Sequence, residues 1–580
     1  GGRLKQRMME AVDGDYQLYK SKNGAYVREH FFGRYPETQS LVEKLSDDDI
    51  WHLNRGGHDA EKVHAAYHAA TEHHGQPTVI LAKTIKGYGL GTAGESQNIA
   101  HQKKKIDVEA LRKFRDRFDI PVTDKQLEEL PFVKPEKGSK ASEYLLQRRE
   151  QLGGYLPARH TSKQALEAPK LKSFKDFLDG TGEREASTTM IWVRILSALV
   201  KDKAIGDRIV PIVPDEARTF GMEGLFRQIG IYSSVGQLYT PQDAEQLMYY
   251  REDQSGQILQ EGINEAGSFC SWLAAATSYA NHDLPLIPFY IYYSMFGFQR
   301  IGDFAWAAGD MRSRGFLIGG TAGRTTLAGE GLQHQDGHSL LLSSTIPNCV
   351  SYDPCYAYEM AVIIQHGLQR MMVDQDDVYF YVTAMNENYI HPKMPKGAEQ
   401  GIKQGMYQLS KGGRGKVRLQ LFGSGTILRE VEEAAKLLEH HHDVPADIWS
   451  VTSYSELRRD ALATTRWNRL HPEDKPKQSF IEQQLNDVQG PVIAASDYMQ
   501  SVADQVREWV PGRYVTLGTD GFGRSDGRKA LREHFEVDRH HIVIAALKAL
   551  VDDGQLEPET VRDAMREYGL KADKPNPVDV

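Results

Sequence analysis

The densest set of residues able to do chemistry lies between Gln257 and Arg300, QILQEGINEAGSFCSWLAAATSYANHDLPLIPFYIYYSMFGFQR. Glu265 stands there among Ile263, Ala266, Gly267 and Phe269. A carboxyl with apolar neighbours is expected to hold its proton to higher pH than usual, because burial disfavours the charged form. SWLAAATSYA follows with helical apolar spacing, then a turn signal at Asn281 to Pro285. IPFYIYYSMF is too short to cross a membrane and has the apolar continuity of a strand buried on both faces. The acid and the aromatic Tyr292, Tyr293 and Phe296 thus fall on consecutive pieces of one α/β unit, where they can converge on a ligand.

Three further stretches carry titratable groups. LIGGTAGRTTLAGEGLQHQDGHS follows a predicted strand; its glycines allow close backbone approach, and Glu330, His334 and His338 add donors, acceptors and a proton carrier. The two histidines are four apart, but a third ligand and the HExxH form are absent, so no metal site is expected here. RIVPIVPD reads as a strand ending at Asp215 and Glu216, and the carboxyl ends of strands are where open α/β sheets gather ligands. IKGYGLGTAGESQNIAHQKKK, from Ile85 to Lys105, is rich in glycine and small residues and reads as a mobile surface loop. It carries His101, an imidazole able to carry a proton, beside three lysines that attract anions.

These groups need a scaffold, and the sequence describes one. The chain has 580 residues, enough for about three or four domains. Hydrophobic content of 40% and a net charge of -9 suit a mildly acidic globular protein and argue against a nucleic-acid partner. Cys270, Cys349 and Cys355 lack CxxC spacing, which speaks against disulfides and zinc and for a reducing compartment. No apolar run reaches the roughly 18 residues of a membrane span. EKVHAAYHAATEHHG predicts a helix ending at Gly75, and PTVILAKT a strand. Residues 106 to about 185 look like a charged connection with helices at DVEALRKFRDRF and SEYLLQRREQLGG. Ser187 caps a helix over TTMIWVRILSALVKDK. Beyond about residue 395, KVRLQLFGSGTIL, DIWSVTSYSEL, GPVIAASDYM and YVTLGTDGFGRSD predict four strands of a smaller parallel-sheet domain, in which no acid–base set stands out. TDGFGRSD lacks the GK[ST] ending of a phosphate loop and reads as a turn at a domain interface.

EGINE, YIYYSMFGFQRIGD, GEGLQHQDGH and GGHD together resemble the transketolase-like thiamine-diphosphate enzymes, most closely the single-chain E1 family of bacterial pyruvate dehydrogenase complexes. The resemblance runs along essentially the whole chain. It implies an α/β, transketolase-like fold of three consecutive domains with mostly parallel sheets, the first incomplete. These would be 1–164, the remainder of the diphosphate-binding domain with a connecting segment; 165–394, the pyrimidine-binding domain; and 395–580, the C-terminal domain. It implies thiamine diphosphate as cofactor, with Glu265 sharing a proton with the pyrimidine ring and favouring its imino form. Tyr293 and Phe296 would form the ring pocket, and Asp215 and Lys86 would also bind cofactor. Glu216, Glu330 and His334 would serve catalysis beside the substrate. The glycine-rich loop would close over the site with Glu95 and Lys104, and His101 would assist acetyl transfer.

By the same resemblance, the reaction is decarboxylation of pyruvate with acetyl transfer to the lipoyl group of the complex's E2 component, by a cytoplasmic homodimer with neither nucleic acid nor membrane as partner. Mg²⁺ in this family is held by a GDG motif and a later Asn. The nearest string, Asp13-Gly14-Asp15, has the wrong order, so the metal ligands are expected in an N-terminal region that the chain lacks. The chain alone is then expected to hold cofactor weakly and to be inactive. Another transketolase-like enzyme, or an incomplete fragment with only a structural role, stays open as an alternative.

Overall fold

The computed structural model describes residues 2–53, 56–155, 165–215, 217–242 and 250–580. The chain forms two compact units, Gly1–Leu156 and Pro157–Val580.

The first unit is helical. Ser46 opens one helix with a capping box to Asp49, and Asp59 opens Ala60–Glu72 by accepting from Lys62 N at 3.0 Å. Val108–Arg117 and Lys140–Gln151 occupy the two stretches with helical spacing. A small core gathers Ala11, Phe31, Phe32, Val42 and Ile50 around the buried Arg7, which donates to Phe31 O at 3.1 Å. The strand expected at PTVILAKT does not form, and among the described residues of this unit there is no strand at all. A strand is made by its ladder, and this segment has no neighbour to pair with, so Val79 and Leu81 stand 80% and 92% exposed.

The loop 85–105 is more closely packed than its composition suggests. Gly89 lies against Phe114 and Phe118, where a Cβ would come within 2.6 Å of a ring carbon, and Tyr88 stacks on His58 at 3.8 Å. Glycine contributes no apolar side chain of its own here, but it lets the aromatic rings of its neighbours close over the backbone.

The second unit holds two main sheets, besides two short two-stranded pairs, Glu185–Ala186 with Tyr389–Ile390 and Ile231–Tyr232 with Glu252–Asp253. In the larger, β1 (Ile209–Val213), β2 (Leu259–Gln260), β3 (Ile287–Tyr293), β4 (Phe316–Gly320), β5 (Cys349–Tyr352) and β6 (Tyr379–Thr383) lie in the order β2-β1-β3-β4-β6-β5, all parallel. Its helices include α1 (Thr188–Leu199), α2 (Glu265–His282), α3 (Gly297–Asp310) and α4 (Ala357–Leu368). Ser187 Oγ accepts from Met190 N at 3.1 Å and starts α1 as its sequence predicts. β3 is buried on both faces from Ile287 to Tyr292, as the run IPFYIYY requires. α2 is tied to the sheet by Trp272 Nε1, which donates to Phe316 O at 3.1 Å.

The smaller sheet has β7 (Met406–Ser410), β8 (Leu419–Gly423), β9 (Ala446–Val451), β10 (Val492–Ala495) and β11 (Tyr514–Leu517) in the order β7-β9-β8-β10-β11. The four predicted strands are its parallel members; β7, antiparallel at the edge, was not anticipated, because its alternation is short and only pairing with β9 defines it.

Burial governs several titrations in this unit. It pushes the imidazoles of His366 and His391 down to about 4. His391 is also held in one tautomer, its Nδ1 accepting from Ala357 N at 3.0 Å while Nε2 lies 2.9 Å from Ala186 O. Both rings stay neutral in the folded chain where an unfolded imidazole, with a pKa of about 6.5, is charged. Their contribution to stability is complete above about pH 6.5 and is lost as pH falls towards 4. Asp353 works in the opposite sense. Burial pushes its carboxyl up to about 7, so its contribution is present below the unfolded carboxyl pKa of about 3.9 and is lost as pH rises through about 7. Replacing His366 with Leu removes one imidazole, and should reduce the loss of stability between pH 6.5 and 5 by about 1.5 kcal/mol. Urea midpoints measured at both pH values check this; an unchanged difference refutes it.

Candidate active site

Glu265 is the first residue of α2, and Asn264 caps that helix by accepting from Gly267 N at 3.0 Å. A carboxylate at a helix start meets the unpaired N–H groups and the positive end of the helix dipole. Its side chain is 12% exposed, and its neighbours differ in part from those expected. Phe269 is buried, but Ile263 faces solvent, and the closest partner is a cation: Arg300 Nη1 donates to Glu265 Oε1 at 2.5 Å. The expectation of an acid with only apolar company is thus corrected, because α3 runs beside α2 and brings Arg300 across.

Arg300 links the acid to a group of rings. Its guanidinium lies over Phe296, 4.2 Å from the ring centre, and Phe296 belongs to the turn Ser294–Phe296 directly after β3. Phe296 is 5.9 Å from Tyr293 and 5.3 Å from His334, Tyr293 and His334 are 5.1 Å apart, and Phe220 closes the group at 5.3 Å from Tyr293. Glu265, Phe296, Tyr293 and His334, separated by up to 69 positions, therefore form one connected cluster at the carboxyl end of β3. His334 Nδ1 is buried without a hydrogen-bond partner, which marks it as an atom left for a ligand.

Tyr292 does not join them. Successive side chains of a strand point to opposite faces, so Tyr292 turns into the core, 4.8 Å from Tyr290. Asp215 follows the end of β1 and is exposed, and Glu216 lies outside the described residues. Glu330 is exposed and turns back on its own loop, its Oε2 accepting from Ala328 N at 2.7 Å. Four of the expected residues lie in the first unit. There Lys86, His101 and Lys104 are exposed. Glu95 is buried and serves the packing of its loop, accepting from Arg117 Nη1 at 2.5 Å and from Gly91 N at 3.1 Å. Asp13, Gly14 and Asp15 sit in the helix Asp13–Ser21, and among the described residues no group of three or more metal-ligating side chains comes together.

Two residues of the cluster escaped the sequence reading, Arg300 and Phe220. Arg300 had a signal, since it stands four after Phe296 and this spacing puts both on one helical face. Phe220 had none, because it reaches Tyr293 from a segment 73 positions away.

Comparisons with known proteins agree with this architecture. Residues 166–392 match the family model of the pyruvate dehydrogenase E1 component middle domain, and residues 405–538 that of the transketolase-like C-terminal domain. The chain is 64% identical over 580 residues to the pyruvate dehydrogenase E1 component of Pseudomonas aeruginosa, covering 100% of this chain and 66% of that protein. With the same component of Escherichia coli K12 the identity is 57% over 581 residues, covering 99% and 65%. The chain thus spans just under two thirds of the length of these relatives. Among solved structures, the transketolase of Campylobacter jejuni aligns with a TM-score of 0.57 at 16% identity, over 85% of this chain and 66% of that one. At that identity the likeness concerns the fold, which is transketolase-like, with mostly parallel sheets. With that fold, and an identity to curated relatives that persists along its full length, the chain belongs to the pyruvate dehydrogenase E1 component family.

Proposed function

We propose that this chain is the greater part of a thiamine-diphosphate-dependent E1 component that decarboxylates pyruvate and passes the acetyl unit to the lipoyl group of an E2 partner. The observation that carries the reading is the connected cluster of Glu265, Phe296, Tyr293 and His334 at the carboxyl end of β3. Residues 1–164 would be the remainder of the diphosphate-binding domain, 165–394 the pyrimidine-binding domain, and 395–580 the C-terminal domain. A homodimer in the cytoplasm completes the reading, consistent with three free cysteines and with no described helix long and apolar enough to cross a membrane.

The donor set suits the cofactor's aminopyrimidine: a carboxyl at a helix start, two aromatic faces and an unpartnered imidazole nitrogen. When bound, thiamine diphosphate supplies a nucleophilic carbon and a sink for the electrons released by decarboxylation. Glu265 would hold or pass a proton at the pyrimidine ring nitrogen, with Arg300 orienting its carboxyl. Tyr293 and Phe296 would wall the ring and exclude water. His334 offers Nδ1 to the substrate oxygen, with Glu330 on the same loop and Asp215 and Glu216 beyond the end of β1. Lys86, His101 and Lys104 would act from their loop, His101 in acetyl transfer, with Glu95 holding the loop's shape through Arg117. Mg²⁺ requires near-octahedral oxygen ligands, which we assign to a region outside this chain.

Four measurements test this, with the full-length enzyme as the reference. Glu265→Ala should lower pyruvate turnover with an artificial electron acceptor by at least about 100-fold, the range of a lost general acid–base group; near-wild-type turnover contradicts the role. His101→Ala should keep that turnover and lose acetylation of the lipoyl domain, and equal loss of both would move His101 to the decarboxylation step. Calorimetry with thiamine diphosphate and Mg²⁺ should give tight binding to the full-length protein and weak binding to residues 1–580 alone. Tight binding to this chain would mean that the diphosphate is held by its own residues. Turnover of xylulose 5-phosphate with ribose 5-phosphate in place of pyruvate would replace the reading with transketolase.

A further inference from the structure

His334 ends the short 3-10 turn Leu332–His334 on an otherwise irregular segment, 321–338, that leaves β4 and leads into helix Ser339–Ser344. The ring packs against Tyr293 and Phe296, but one short turn does not hold the backbone beneath it to the tolerance a reaction needs, so that backbone must be braced by a neighbour. That is the loop 519–527 after β11, the TDGFGRSD stretch to which the sequence assigns no chemistry.

The contacts fall on both sides of His334. Gln335, buried, uses both ends of its amide on one residue of the loop: Oε1 accepts from Arg524 N at 2.7 Å, and Nε2 donates to Arg524 O. Before His334, Gly329 N donates to Asp526 O at 3.0 Å and Ser525 Oγ donates to Glu330 O at 2.7 Å. Gly523 allows this approach, since a Cβ there would come within 2.6 Å of Leu332 O and 2.9 Å of Gln335 Oε1.

The loop is held in turn from its other side. Gly521, at φ +100°, would place a Cβ 2.6 Å from Pro577 O, and Arg524 Nη2 donates to Val580 O. The segment carrying these two residues is pinned where it begins, by Lys574 Nζ donating to Glu533 O at 2.7 Å and His534 O at 2.6 Å. Arg324, buried at the root of the His334 segment, donates to Thr519 O and Gly521 O and closes the circuit.

We propose that loop 519–527, clamped between segment 574–580 and Gln335, positions His334 for turnover, with Gln335 and Arg524 as positioning residues. The proposal rests on the reading of His334 as a substrate group, and its test separates the two. Gln335→Leu, Gly523→Val and removal of residues 575–580 perturb the clamp at three independent points, and Phe522→Ala, at a side chain 79% exposed, is the control.

Amide exchange on this chain needs no activity. The clamp variants should raise exchange at residues 329–335 by about tenfold or more while exchange in β3 and β4 and the urea midpoint of the second unit change little. In the full-length enzyme the same variants should lower kcat for pyruvate by about 10- to 100-fold, as expected for a misplaced reacting group, with cofactor affinity within about twofold of wild type. Exchange at 329–335 that stays at wild-type level in all three, or rises only together with the rest of the unit, overturns the clamp whatever the enzyme does. Raised local exchange with unchanged kcat overturns the positioning of His334. A wild type that leaves pyruvate untouched overturns the functional reading, and the exchange result still judges the clamp.

Discussion

One buried carboxylate ties the two sheets of the second unit together. Asp497, two residues beyond β10, accepts at Oδ1 from Thr325 N at 2.9 Å and Thr325 Oγ1 at 2.7 Å, and at Oδ2 from Thr326 Oγ1 at 2.6 Å. Burial pushes its pKa up and these donors push it down, with burial the stronger influence. A carboxyl so enclosed is tolerable only because both oxygens are satisfied, and losing the Thr326 hydroxyl would leave Oδ2 stranded. Thr326 extends the junction to Thr426 at 2.8 Å. The segment that leaves β4 is thereby fixed at its root by the neighbouring sheet, nine residues before His334.

Around this root lies a network of ions, buried except for the half-exposed Arg539. Arg532 pairs with Glu387 and with Glu430 at 3.3 Å, and Arg539 pairs with Glu430 at 2.8 Å. Buried pairs recover little more than their own desolvation, so they are weak evidence of stability. Their directional bonds instead favour one way of packing the two sheets over a slide of one across the other. The site gains from this, because His334 meets Phe296 directly and Glu265 meets it through Arg300, and a small slip between elements would separate them.

The second unit was largely legible as a sequence, because its strands are apolar on both faces and announce themselves as continuous runs. The aromatic run after the turn at Asn281 to Pro285 forms β3, and α2 begins at the acid that opens EAGSF. The first unit was less legible. Its apolar stretch at 77–84 has strand chemistry, but strand formation is a property of a pair, and no sequence pattern supplies the partner. The glycine-rich loop misled in the other direction: the residues that cover it, Phe114 and Phe118, lie on a helix outside it.

By itself the sequence determined which segments bury both faces, that a helix follows Glu265, and which types of side chain stand near the ends of strands. It also carried, in EGINE and GEGLQHQDGH, the resemblance from which family and cofactor class were expected. Only the tertiary structure decided that Tyr293 faces the site and Tyr292 the core, since a strand's two faces are equivalent until the sheet is covered. Only the packing of α3 against α2 brought Arg300 to Glu265, and only the join between the two sheets brought Gln335 to the backbone of Arg524. Each of these depends on contacts between residues 35 to 189 positions apart, and local propensity carries no information over that distance.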